Sequence, residues 1–134
     1  MRRLRILLAD DHPMVCELVA RLLEPTCEIV ARVRDGRALI QAAIRMNPDV
    51  IVTDISMPVL NGIKAANILK ESGSSSRIIF LTVHEDMDFV KACLAAGALA
   101  YVSKPRMAVD LLLAIQEVLE GRSFVSPMTS KAAT

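Results

Sequence analysis

Asp49-Val50-Ile51-Val52-Thr53-Asp54 is the stretch on which the fold turns. Its centre is apolar and β-branched, and it ends in an acid. A run of this kind, with no alternation of apolar and polar residues, suits a strand buried on both faces in a parallel sheet. Working outward, the same type of run recurs upstream as Leu4-Arg5-Ile6-Leu7-Leu8-Ala9 and then from Cys27 to Val33. Downstream it recurs as Arg77-Ile78-Ile79-Phe80-Leu81-Thr82-Val83 and, more briefly, over residues 99–103.

Helical spacing fills the intervals. Val15, Leu18, Val19, Leu22 and Leu23 fall at i, i+3, i+4, i+7 and i+8, one face of a helix. Asp35 is placed to cap a second helix with Leu39, Ala42, Ala43 and Met46 on one side, and Asn47-Pro48 stops it. Pro58 and Asn61-Gly62 mark a loop before a third helix over residues 63–71. A fourth spans residues 86–96 and closes on Gly97. Leu111, Ala114, Ile115, Val118 and Leu119 line the core face of a fifth. Five strand–helix units in series predict a single α/β domain, a doubly wound five-stranded parallel sheet of flavodoxin-like (βα)5 type with strand order 2-1-3-4-5. The expected domain covers residues 1–122, and residues 123–134 are expected to form a disordered tail at the start of a linker.

Composition narrows the function classes. The chain has 134 residues, 53% of them hydrophobic but only 3% aromatic, and carries a net charge of +1. No apolar run approaches the roughly 18–20 residues of a membrane span, and the charged start of the first strand is unlike a signal-peptide core. A soluble cytoplasmic protein is expected. The balance of 16 basic and 15 acidic residues lacks the basic excess of a duplex binder. Cys16, Cys27 and Cys93 are odd in number, lack metal-ligand spacing and read as small buried hydrophobes.

In a sheet of this order ligands bind beyond the carboxyl ends of the strands, where the strand order reverses. That point lies between strands one and three, which end in Asp10-Asp11 and in Asp54. Three crowded carboxylates repel unless a cation joins them, and a hard divalent ion such as Mg2+ takes oxygen ligands of this kind. Thr82 closes strand four and Lys104 follows strand five, adding a hydroxyl and a point positive charge. A nucleophilic carboxylate, a metal, a cation and a hydroxyl are a sufficient inventory for phosphoryl transfer, which depends on positioning and charge neutralisation.

Asp10-Asp11, Asp54, Thr82 and Lys104-Pro105, in this order on a five-unit chain, resemble the receiver domains of two-component systems over residues 4–122. Asp10-Asp11-His12-Pro13, Asp54-Ile55-Ser56-Met57-Pro58, Asn61-Gly62, Leu81-Thr82-Val83-His84 and Gly121-Arg122-Ser123-Phe124-Val125-Ser126-Pro127 are similar to the NarL/FixJ (LuxR-type) response regulators in particular. The resemblance implies that Asp54 is the phosphoacceptor and that Mg2+ is held by Asp11, Asp54 and the Ser56 backbone carbonyl, with Asp10 acting mainly through water. It implies that Lys104 pairs with the phosphoryl group, that Lys104-Pro105 is a cis peptide, and that Thr82 swings toward the phosphate while Tyr101 turns inward behind it. The surface formed by helix four, strand five and helix five would then change shape. The implied partners are a sensor histidine kinase and, through a helix-turn-helix output domain outside these residues, DNA. The alternative is a stand-alone receiver that acts by protein contact.

Plainer readings stand beside these. A single strand-end Asp is usually a solvated helix cap, a single Thr an ordinary strand residue, and a single Lys a surface residue. His12 and His84 lie too far apart in the chain to make a metal site by themselves, and His12 reads as loop structure near the pocket rather than a catalytic base. Enzymatic turnover is not expected beyond self-phosphorylation from small donors and autodephosphorylation. Aspartate-nucleophile phosphatases carry a second Asp where this chain has Ser56, and a flavin's phosphate would be repelled by Asp10-Asp11. On the last helix, Met107, Ala108, Val109, Leu112 and Leu113 widen the apolar arc beyond one core face, so this helix is expected to contribute to a homodimer.

Overall fold

The strands form a central sheet whose side chains alternate between two opposite, buried faces. The computed structural model describes residues 3–127. In chain order the elements are β1 (Leu4–Ala9), α1 (Pro13–Leu23), β2 (Cys27–Val33), α2 (Gly36–Met46), β3 (Val50–Thr53) and α3 (Gly62–Glu71). They continue with β4 (Arg77–Thr82), α4 (Met87–Ala95), β5 (Ala100–Ser103), a 3-10 turn at Lys104–Arg106, α5 (Met107–Leu119) and β6 (Phe124–Val125). Every neighbouring pair is parallel, in the order β2-β1-β3-β4-β5-β6.

Strand alternation sorts the core into two layers. Leu7, Ala9, Ile51, Phe80 and Tyr101 point to the side covered by α2, α3 and α4. Ile6, Leu8, Val50, Val52, Ile79, Leu81 and Val102 point to the side covered by α1 and α5. Each fully buried aliphatic side chain contributes about 1.5–3 kcal/mol, so a one-residue slip of any central strand would exchange the two layers and is strongly disfavoured. All four residues of β3 and of β5 are buried, as expected of strands covered on both sides.

Helix ends follow the sequence signals. The Asp35 carboxylate accepts from the Ala38 N–H and caps α2. Asn47 takes the left-handed conformation that ends it. Asn61 caps α3 through the Lys64 N–H, and Gly97 follows α4 at φ +99°.

Two expectations are corrected here. The sheet has a sixth strand. Gly121 (φ +80°) reverses the chain after α5, and the Phe124 and Ser126 N–H groups donate to the Leu99 and Tyr101 carbonyls at 3.0 and 2.8 Å. Pairing satisfies the open edge of β5, and Phe124 packs on the α5-side core. Residues 124–126 therefore belong to the folded unit rather than to the tail; residues 128–134 lie outside the described residues. The second correction concerns α5: Leu119, expected on its core face, is exposed. Of the wider apolar arc, Met107 and Leu112 pack on the core, while Val109 and Leu113, one turn apart, stay exposed. Among the described residues no helix is long and apolar enough to cross a membrane.

Candidate phosphoacceptor and metal site

Parallel register assembles the acidic pocket. Ala9 pairs with Thr53 across β1 and β3, and the Asp54 N–H donates to the Ala9 carbonyl at 2.9 Å. The next residues on each strand, Asp10 and Asp54, therefore emerge side by side at the carboxyl edge of the sheet. Thr82 pairs with Ser103 across β4 and β5, which brings Lys104 out at the same edge.

Lys104 joins the two strand-end acids. Its Nζ lies 2.8 Å from Asp54 Oδ2 and 2.9 Å from Asp10 Oδ2. Both carboxylates are buried, and the lysine side chain is only 8% exposed. Burial opposes the ammonium charge, but hydrogen bonds to Asp54 and Asp10 and their negative charges outweigh it, so the Lys104 pKa is raised. The other Asp54 oxygen, Oδ1, accepts from the Ile55 N–H at 2.7 Å. The nucleophile candidate is thus held at both oxygens.

Asp11 completes the carboxylate set. Its side chain is 35% exposed, yet its Oδ1 is shielded from water and accepts no hydrogen bond. A buried oxygen left without a donor is costly, and a cation would remove that cost. One donor atom from each of Asp10, Asp11, His12 and Asp54 lies within 4.8 Å of all the others. Carboxylate oxygens dominate this group, so the chemistry fits a divalent ion.

The remaining predicted residues sit around this centre. Ser56 is exposed beside it, and its Oγ shares a 3.1 Å hydrogen bond with His84 Nε2. The His84 ring stacks on Phe89 with centroids 4.4 Å apart. Thr82 is fully buried, and its Oγ1 accepts from the His84 N–H at 3.3 Å. Tyr101 is fully buried too, and donates to the His84 carbonyl at 2.6 Å. Burial foremost, and then nearby Cys93 and the acidic groups Asp86, Asp54 and Glu85, raise its pKa, so the phenol stays a donor. One short segment, His84, therefore contacts Ser56, Thr82 and Tyr101 at once.

Pro105 requires a correction. No cis peptide occurs among the described residues, so Lys104-Pro105 is trans, the intrinsically favoured isomer of an X-Pro bond. Pro105 occupies the first turn of the 3-10 segment that leads into α5, a place where its missing N–H costs nothing.

Two features escaped the sequence reading. His12 lies inside the cluster: Nδ1 is 2.9 Å from Asp10 Oδ1 and 3.3 Å from Asp11 Oδ1. Its position before Pro13, the first residue of α1, was the available signal, because it ties the ring to the strand-one loop. Gly62 is the second. A Cβ there would stand 2.0 Å from the Asp54 carbonyl oxygen, so only glycine lets α3 start against the acidic strand end.

Comparison with known proteins agrees with this geometry. Residues 6–116 match the response regulator receiver domain family. The transcriptional regulatory protein DegU of Brevibacillus brevis is 34% identical over 127 residues, 93% of this chain and 54% of that protein. The chain thus spans about half the length of this relative. A two-component response regulator of the LuxR family from Aurantimonas sp. SI85-9A1 superposes with a TM-score of 0.88 at 34% identity, covering 94% of this chain and 91% of that one. RcsB from Salmonella enterica serovar Typhimurium, bound to promoter P1flhDC in the presence of the phosphomimetic BeF3−, superposes with a TM-score of 0.83 at 28% identity. That match covers 92% of this chain and 62% of RcsB. The chain belongs to the response regulator receiver domain family, on the LuxR-type branch.

Proposed function

We propose that Asp54 accepts a phosphoryl group from the phosphohistidine of a sensor kinase, and that the resulting aspartyl phosphate controls an output domain outside this chain. The observation that carries the reading is the Asp10–Lys104–Asp54 arrangement, a buried carboxylate held at both oxygens beside a cation. In the transfer, one Asp54 oxygen forms the new P–O bond as the P–N bond of the donor breaks, and the nitrogen electron pair leaves with the imidazole. Lys104 then exchanges its carboxylate contact for the phosphoryl oxygens, and Thr82 supplies a hydroxyl donor to them. Asp11, Asp54 and the Ser56 carbonyl would hold Mg2+, with Asp10 acting through water. Bound there, the ion neutralises charge on the phosphoryl oxygens.

Transmission would run through Tyr101 and Thr82, which meet at His84, to the surface of α4, β5 and α5. The state of Asp54 acts by shifting a pre-existing equilibrium, and only by as much as its contacts differ between the two states. DNA binding would belong to an output domain, as supported by the likeness to promoter-bound RcsB. Exposed Val109 and Leu113 favour a homodimer through the α5 region. A concentration series in analytical ultracentrifugation that stays monomeric in both phosphorylation states sinks that part.

Intact mass after incubation with acetyl phosphate tests the central claim. One added phosphoryl group is expected with Mg2+, none without it and none on Asp54→Asn. A wild type that gains no mass and binds no Mg2+ would leave the stand-alone protein-contact reading in its place.

A further inference from the structure

We propose that the groove between α2 and α3 is a self-association surface, on which a second copy of this chain docks antiparallel about a two-fold axis beside Ile68. The α2 and α3 helices cover one face of the sheet and α5 the other. A dimer formed through α5 therefore leaves this groove free, and contacts at both surfaces would join dimers into larger assemblies.

Shape is the first ground. Arg37, Ile40, Gln41, Val59, Leu60 and Ile68 line a cavity of about 590 Å3. Its loop wall is fixed in place: a Cβ on Gly36 would stand 2.0 Å from the Leu60 carbonyl oxygen, so the loop backbone rests directly on the first turn of α2. Val59 in that loop is held at φ +70° and is exposed. Strain of this kind persists only where the surroundings impose it, and it gathers at functional surfaces. Exposed Ile68 on α3, and exposed Ile44 one turn beyond Ile40 on α2, extend the apolar surface. A preformed surface costs little ordering on docking.

Charge is the second ground, and it selects the occupant. Arg37 and Lys64 stand in the first turns of α2 and α3, and Glu71 ends α3. All three are exposed, and among the described residues none has a side-chain partner. Both helices follow parallel strands, so their first turns lie at the same end of the groove. That end is basic and the Glu71 end is acidic. Arg45, a further cation late in α2, does not line the groove. A partner of one charge sign would be repelled at one end, whereas a second copy turned end for end satisfies both. Lys64, Ile68 and Glu71 fall at i, i+4 and i+7, on one helical face. The two-fold axis then sets each Lys64 against the other copy's Glu71, with Ile68 between the two ion pairs. Exposed ion pairs contribute little, so the apolar residues drive association and the charges set orientation.

Sedimentation equilibrium of the full chain carrying Val109→Glu and Leu113→Glu tests this, because those two changes at exposed positions remove the α5 contact. In that parent a monomer–dimer equilibrium is expected. Ile68→Glu should abolish the dimer. Lys64→Glu should weaken it at least about tenfold, since two attractive pairs become two repulsive ones. Adding Glu71→Lys to Lys64→Glu rebuilds both pairs with their signs exchanged, and should recover most of the lost affinity. Every substituted position is exposed, and circular dichroism verifies that each variant folds. A parent that stays monomeric at about 1 mM overturns the proposal. So does an Ile68→Glu variant that dimerises as well as the parent, or a charge exchange that restores nothing.

Discussion

Lys104 Nζ bridges Asp10 and Asp54, at 2.9 and 2.8 Å, so one ammonium serves two buried carboxylates. Removing it as Lys104→Ala leaves both acids without their cation. A fully buried pair broken in this way costs about 3–5 kcal/mol. This pocket opens to water past Asp11 and His12, so the expected loss is smaller, about 2 kcal/mol, measured by urea unfolding without divalent ions. The Lys104 pKa is raised in the folded state. Its contribution is therefore complete below the unfolded lysine value and fades only as pH rises through the folded one. Wild type and variant should differ equally at pH 6 and pH 8, and a difference that shrinks over this interval would contradict the assignment.

Gly62 sets the distance between α3 and the strand that ends in Asp54. With a Cβ 2.0 Å from the Asp54 carbonyl, Gly62→Ala must push backbone against backbone. Overpacking of this kind costs about 1–3 kcal/mol or more. Phosphorylation by acetyl phosphate is expected to fall sharply even at temperatures where circular dichroism shows the variant folded. A folded variant phosphorylated at the wild-type rate would mean that the close approach has no bearing on Asp54.

Val59 adopts φ +70° while 71% exposed. The left-handed region costs an L residue about 1–2 kcal/mol, and a β-branched side chain is particularly ill suited to it. Glycine relieves that strain but returns about 0.4–1 kcal/mol through the freedom of the unfolded chain. Val59→Gly should therefore be more stable by about 0.5–1 kcal/mol, read from the urea midpoint at constant slope.

Ser126 ties the end of the described chain to α5. Its hydroxyl donates to Asp110 Oδ2 at 2.7 Å and accepts from the Ser103 N–H at 3.1 Å, while Arg106 holds both Asp110 oxygens. Asp110 is 2% exposed, so Ser126→Ala leaves buried groups short of partners, at about 1–3 kcal/mol. The Arg106 hydrogen bond, ahead of the opposing effect of burial and with help from Ser126, lowers the Asp110 pKa. A lowered folded value means stability that is present above the ordinary aspartate range and lost as pH falls through the folded value. Asp110→Asn should remove that part of the acid dependence, seen as a flatter unfolding free energy below about pH 4.

Local pattern sufficed for the order of the five strand–helix units, because burial on two faces demands β-branched runs and one-faced helices demand their 3.6-residue period. Val50, Ile51 and Val52 needed no tertiary information, and neither did the caps at Asp35 and Gly97. Asp10, Asp11, Asp54 and Lys104 were legible as one site because parallel strands deliver their last residues to a common edge. The short β6 was not legible: two residues carry too little pattern, and they pair only because β5 would otherwise end in open hydrogen-bonding groups. The ring of His12 among the carboxylates, the trans bond before Pro105 and the burial of Ser126 against Asp110 were also beyond reach. Each depends on distances between segments far apart in the chain or on the path of a turn, and those are set when the sheet and its helices close on one another.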